Sequence, residues 1–183
     1  MSARPDSHFP GDDLVADANM IFDRRLLIAA TPERIWPWLV QLGKHRAGWY
    51  LPRRIEVVIP RDRRASRAVL AAHQNLEVDQ RIPDYGGRRA WLEVAAIEAP
   101  RALVYRTERR GTPFSWALLL TPRAADETEL HLRFRARLKS GGVRRRAITI
   151  LGDAADAVTT VLLVRGLRER LAEKQRRDEP EPR

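Results

Sequence analysis

The sequence predicts an α+β domain, a curved antiparallel sheet with a helix near one end of the chain and a long helix at the other. Three observations carry this. Four strand-like runs follow one another between residues 88 and 138, separated by short turns, and strands joined that way pair antiparallel. A helix start lies ahead of them at Thr31-Pro32, and a run of helical periodicity follows them from residue 143. Helices segregated to the ends of a series of strands define the α+β class. The 183 residues suit one domain. The boundaries read as an irregular segment over 1–19, a single domain over 20–173 and a solvated tail over 174–183.

The elements follow in order. Pro5, Pro10 and Gly11 punctuate the first 19 residues, and Asp12, Asp13 and Asp17 make them acidic. Residues 20–29 alternate as a strand, with Phe22, Leu26 and Ile28 on one side and Arg24 between them. Thr31 as N-cap, Pro32 at the first position and Glu33 in the first turn open a helix over 32–42. Pro37 cannot donate to the Glu33 carbonyl, which predicts a kink or two short pieces, and Gly43 ends the helix. Residues 51–60 read as a short helix, and 62–74 as another helix or turn with Asp62 as a candidate N-cap. Strands are expected over 88–97, 102–109, 114–121 and 128–138. Ser140-Gly141-Gly142 ends them, and a helix over 143–173 carries the stripe Leu151, Ala155, Val158, Leu162, Leu167, Leu171.

Alternation assigns the faces of the sheet. Leu130, Leu132, Phe134, Ala136 and Leu138 point inward, and His131, Arg133, Arg135 and Arg137 point to solvent. Phe114, Trp116, Leu118 and Leu120 share a side, as do Leu103, Tyr105 and Thr107. The strand holding Trp91 fits either register. The concave side therefore carries Tyr105, Phe114, Trp116 and Phe134, with Arg24 as a rare charge. A curved sheet crossed by a long helix can enclose an apolar cavity with a few placed polar groups. The same aromatics can equally fill a core.

Composition excludes more than it proposes. Net charge is +10, but only three of the 34 basic residues are Lys. An Arg-for-Lys bias together with abundant Ala follows from a GC-rich genome, which argues against reading the charge as a nucleic-acid site. The absence of Cys excludes a disulfide framework and a Cys-based zinc site and fits a reducing compartment. No signal-peptide core is apparent near the start, and Asp153 and Asp156 interrupt the longest apolar stretch, which argues against a membrane span. The expectation is a soluble, cytoplasmic chain. The four His residues are scattered and suggest no metal site, leaving His45 and His73 as isolated general-base candidates. No nucleophile elbow, HExxH or phosphate-binding Gly loop is present.

The stretch WPWLVQLGKHRAGWY, residues 36–50, holds three of the five Trp residues. Together with IAATPERIWPWLVQLG (28–43), GWYLPRRIE (48–56), AAIEAPRALVYR (95–106), FSWALLLTP (114–122) and TELHLRFRARL (128–138), it resembles the START/SRPBCC superfamily. This is the helix-grip fold of START domains and polyketide cyclase/dehydrase-like proteins. The resemblance spans about residues 20–170. One departure stands out: similar sequences often read Val-Gly-Asp where this chain has Val78-Asp79-Gln80.

The resemblance implies a cofactor-free protein that binds a small hydrophobic or amphipathic molecule, lipid-, polyketide- or aromatic-like, between sheet and C-terminal helix. Arg24, Trp38, Gln41, Trp49, Tyr50, Tyr105, Phe114, Trp116 and Phe134 are the candidate ligand contacts. A cyclase or aromatase alternative would draw its acid or base from Glu56 or Tyr105. Arg24 could hold a ligand carboxylate or an acidic neighbour inside the protein. A third alternative is a filled core with basic surfaces, Arg53–Arg67 and Arg144–Arg146, that dock to anionic lipid or nucleic acid.

Overall fold

A computed structural model describes residues 8–87 and 89–178. Its elements are β1 (Met20–Ile28), α1 (Pro32–Val40), α2 (Arg53–Glu56), β2 (Arg81–Pro83), β3 (Trp91–Glu98), β4 (Ala102–Arg109), β5 (Thr112–Ala124), β6 (Glu127–Ala136) and α3 (Gly142–Asp178). The strands form one antiparallel sheet in the order β1-β6-β5-β4-β3-β2. With the long α3 this is the expected α+β, helix-grip architecture. β2 to β6 form a meander, and β1 closes onto β6 at the far edge.

The inner face follows the alternation. Leu103, Tyr105, Leu118, Leu120, Leu130 and Leu132 are buried in one cluster with Ile35, Trp38 and Leu39 of α1 and Leu163, Val164 and Leu167 of α3. The register of β3 was open for a physical reason. A bulge between Val94 and Ala96 shifts the pairing to β4, so Leu92 and Ile97 both pack on the inner cluster while Ala95 and Ala96 pack on the outer one. Pro37 sits inside α1, which remains one helix and caps at Gln41.

Three expectations are corrected. The outer face of β4–β6 is covered rather than solvated. Phe9 and Leu14 of the N-terminal segment pack over Ala102, Val104, Ala117 and Leu119, and a 3₁₀ turn forms at Asp13–Val15. The basic row is thereby neutralised. Arg133 pairs with Asp12 at 2.7 Å and with Asp23, and Arg135 donates to the Val15 carbonyl at 3.0 Å, while Arg137 is exposed as expected and pairs with Asp17 at 3.1 Å. His131 is buried among them against Asp23, with the Phe9 ring edge-on at 4.8 Å. The acidic segment and the basic strand face are complementary, which alternation within one strand cannot reveal.

The second correction concerns α3. Leu151, Ala155 and Val158 of the expected stripe are exposed, and the buried face runs through Thr160, Leu163, Val164, Leu167, Arg170 and Leu171. Polar contacts set this rotation: Arg24 on β1 holds Asp153 and Asp156, the latter at 2.9 Å. Phe22 also lies against Gly152, where a Cβ would come within 2.9 Å of the ring. The helix continues to Asp178, past the expected end at 173. Third, of the helix or turn expected over 62–74 the turn holds, as 3₁₀ turns at Arg61–Arg63 and Ala71–His73, but Asp62 lies within the first instead of capping it.

Candidate functional site

Four aromatic rings form a ladder from the surface into the core. Tyr85 is exposed, and its ring meets Trp49 edge-on at 6.4 Å. Trp49 stacks on Trp116 at 6.0 Å, and Trp116 stacks on Tyr105 at 5.8 Å. Trp49 and Trp116 are half-buried, and Tyr105 is fully buried. Sheet register places the inner pair, since Tyr105 on β4 lies directly opposite Trp116 on β5. The loop 43–48 places Trp49, closed by mutual backbone bonds between Gly43 and Gly48 at 3.2 and 2.9 Å. Gly48 has φ +85, and a Cβ there would lie 2.9 Å from the Ala65 backbone, so both conformation and space require Gly.

Beneath the ladder, Gln41 holds the site together. Its Nε2 donates to the Tyr50 hydroxyl at 3.0 Å and the Ala68 carbonyl at 3.1 Å. Its Oε1 accepts from the Leu70 amide at 2.8 Å and Gln74 Nε2 at 3.3 Å. All four of its hydrogen-bonding positions are used. Tyr50 in turn donates to the Trp38 carbonyl at 2.8 Å, and its ring meets Trp38 edge-on at 5.7 Å. Gln41 and Tyr50 therefore tie α1 to the 66–74 connection.

Other polar groups here have no such closure. Among the described residues, Trp38 Nε1, Tyr105 Oη and Arg46 Nε are buried without a hydrogen-bond partner. Arg46 enters from the 43–48 loop and donates to the carbonyls of Val40 at 3.2 Å and His73 at 2.7 Å. Burial pulls its guanidinium below the ordinary value, and the Tyr105 and Tyr50 phenols lie within its electrostatic reach. Burial pushes both phenols well above the ordinary tyrosine range, with Arg46 opposing. Tyr105 is therefore a neutral hydroxyl at physiological pH, suited to donate a hydrogen bond rather than to accept a proton.

Several candidates are placed elsewhere. Arg24 faces inward as expected but is committed to Asp153 and Asp156, the internal ion pair rather than a ligand contact. Glu56 is buried against Arg170 at 2.5 Å and Arg67 at 2.9 Å, which removes it from the mouth as an acid or base. Arg170 is wholly buried, and it also donates to carbonyls of Ser66 at 2.7 Å and Gly166 at 2.9 Å and stacks under the Tyr50 ring at 4.7 Å. Phe114 and Phe134 lie in a separate cluster with Met20 and Phe22. His45 is exposed, and no group of three metal-ligating side chains occurs among the described residues.

Arg46, Tyr85, Gln74 and Arg170 were not singled out from the sequence. Arg46 and Tyr85 stand in polar turns that give no periodicity, and Arg170 is one Arg among many. Asp79 shows the opposite case. It adopts φ +66, a conformation Asp tolerates, so this turn forms without a Gly, and it pairs with Arg106 at 2.9 Å.

No protein-family model matches the chain, and no curated protein matches it. Solved structures do. Protein jhp0584 of Helicobacter pylori is 12% identical with a TM-score of 0.53, covering 92% of this chain and 98% of that one. Protein Ms6760 of Mycobacterium smegmatis is 14% identical with a TM-score of 0.51, covering 85% of this chain and 92% of that one. DynU16, from the dynemicin biosynthetic locus, is 16% identical with a TM-score of 0.49, covering 88% of this chain and 49% of that one. The first two show the fold. The likeness to DynU16 says nothing of what this chain binds.

Proposed function

We propose that this chain binds a small aromatic or amphipathic molecule at the inner end of the Tyr85–Trp49–Trp116–Tyr105 ladder. One observation carries the reading: a continuous aromatic path from solvent ends at a buried hydroxyl without a partner, with the Arg46 guanidinium close by. Stacked rings accept flat apolar ligands, and a few buried donors fix their orientation. Arg46 Nε–H and Tyr105 O–H would donate to a carbonyl, phenolate or carboxylate on the ligand. Trp38 Nε1–H, in the same buried cluster, is a further unpaired donor. Binding fits better than catalysis, since Glu56 is consumed by two guanidinium groups and Tyr105 is held neutral.

The test is native mass spectrometry of the purified protein with organic extraction of what co-purifies, followed by tryptophan-fluorescence titration with anilinonaphthalene sulfonate. A saturable one-to-one response weakened roughly tenfold by Trp116→Ala is expected, the scale of losing one buried aromatic contact. A clean apo mass together with an unresponsive tryptophan signal would make these rings a filled core.

A further inference from the structure

The N-terminal half of α3 has a second face. Gly152, Asp156, Thr160 and Leu163 turn toward the sheet. On the opposite side Val143, Ala147, Ile150, Ala154, Val158 and Val161 recur every three or four residues, one stripe along about 27 Å of helix. Leu151 lies beside it. The stripe is open: Val143 is 87% exposed, Leu151 72%, and Ile150 and Val158 60% each. By length and composition this helix is apolar enough to cross a membrane, yet its C-terminal half is packed into the core. Scattered surface apolar residues need no account, but a contiguous stripe does.

The charges around the stripe point to its occupant. Arg144, Arg145 and Arg146 are exposed on the first turns, and Arg165 continues the stripe just beyond Val161. Asp153 and Asp156, the two acidic residues between 142 and 168, are held on the sheet side by Arg24. The stripe is therefore flanked by Arg144 and Arg146, and the half-exposed Asp153 beside it is paired with Arg24. A second copy does not suit it. An antiparallel pair centred on Gly152 sets Arg144–Arg146 against residues 158–160, which hold no carboxylate, and a parallel pair sets Arg on Arg. An apolar helix face edged with Arg matches the acyl and phosphate layers of an anionic bilayer surface. We propose that this face docks α3 flat on an anionic lipid membrane, without spanning it.

The test uses the full chain with vesicles of phosphatidylcholine, with or without phosphatidylglycerol, sedimented at near-physiological salt. The protein is expected to pellet with the phosphatidylglycerol vesicles and not with phosphatidylcholine alone. Ile150→Glu combined with Leu151→Glu should lower partitioning about tenfold or more, and Arg146→Ser, at the edge of the stripe, roughly fivefold. Val58→Glu, at an exposed Val after α2, should leave it unchanged. The chain has no Cys, so Val158→Cys can carry a single environment-sensitive dye, whose emission should shift to the blue on the anionic vesicles. Failure to pellet, pelleting indifferent to the Ile150/Leu151 variant, or an unshifted dye would each overturn the proposal. So would a concentration-dependent dimer that the same variant dissolves, since a second copy would then cover the face.

Discussion

Tyr105 separates a ligand site from a filled core more sharply than any other side chain. Its hydroxyl is buried without a partner, which is a standing cost in a protein with no ligand. Tyr105→Phe should therefore leave the unfolding free energy unchanged or raise it by up to about 1 kcal/mol. The same substitution should weaken a bound carbonyl or phenolate ligand by roughly tenfold, the loss of one buried hydrogen bond. Urea unfolding and fluorescence titration of the same variant read both numbers. Lost stability with unchanged affinity would place Tyr105 in the core alone. Glu56 is the contrasting residue. Its carboxylate balances the wholly buried Arg170, so Glu56→Ala should cost about 3–5 kcal/mol by leaving that charge uncompensated. Glu56→Met with Arg170→Met should recover only part of the loss, because removing the guanidinium also takes the donor from the Ser66 and Leu51 carbonyls and leaves Arg67 without Glu56. Full stability in Glu56→Ala would return Glu56 to the catalytic candidates.

At the scale of elements, α3 meets the rest of the protein through Gly166. A Cβ there would lie 2.7 Å from backbone atoms of Tyr50 and Leu51, so the helix seats directly on the chain that leads from the aromatic ladder to α2. Gly166→Ala gains at most about 1 kcal/mol of helix propensity and meets backbone that cannot yield as a side chain would. Overpacking of this kind costs about 1–3 kcal/mol, so the net effect is predicted to be destabilising, read as a lower thermal midpoint. A raised midpoint would mean that the helix shifts freely over residues 50–51. The sheet was legible in the sequence because each strand's alternation is local: β4 was bounded by its own residues, and the inward set of β6 divides between the main core, with Leu130 and Leu132, and the cluster of Met20 and Phe22, with Phe134, Ala136 and Leu138. The rotation of α3 was not legible. Leu151 and Val158 are as apolar as Leu163, and contacts far away in sequence decide which faces inward: Arg24 with Asp153 and Asp156, Phe22 against Gly152, and Gly166 against residues 50–51. Likewise the candidate site was half legible. Trp49, Trp116 and Tyr105 announced themselves as aromatics on known faces, while Arg46 and Tyr85 reach the site from turns.

At the scale of the molecule, the N-terminal segment forms a strap whose grip is predicted to depend on pH. It lies across the outer face of the sheet and brings Asp12 to Arg133 and Phe9 to His131. Burial drives the His131 imidazole below its ordinary value, and Arg25 and Arg133 add to that, while Asp23 opposes. The unfolded chain therefore takes up a proton near pH 6.5 that the folded chain refuses, and stability falls as pH drops from about 6.5 toward the folded value. Asp12 titrates lower. Burial alone would raise its carboxyl, but hydrogen bonds from Arg133 and the Phe9 amide, with the charges of Arg133 and Arg135, hold it below the ordinary value. Its contribution is present above about pH 3.9 and is lost as pH falls through the folded value. Two successive losses are expected in urea midpoints measured from about pH 8 to about pH 3. His131→Gln should flatten the upper one, and Asp12→Asn should lower stability near neutrality and flatten the lower one. Parallel curves for wild type and His131→Gln would mean that the strap does not bury this imidazole in solution. The basic row of β6 would then be the open, solvated face that its alternation alone suggests.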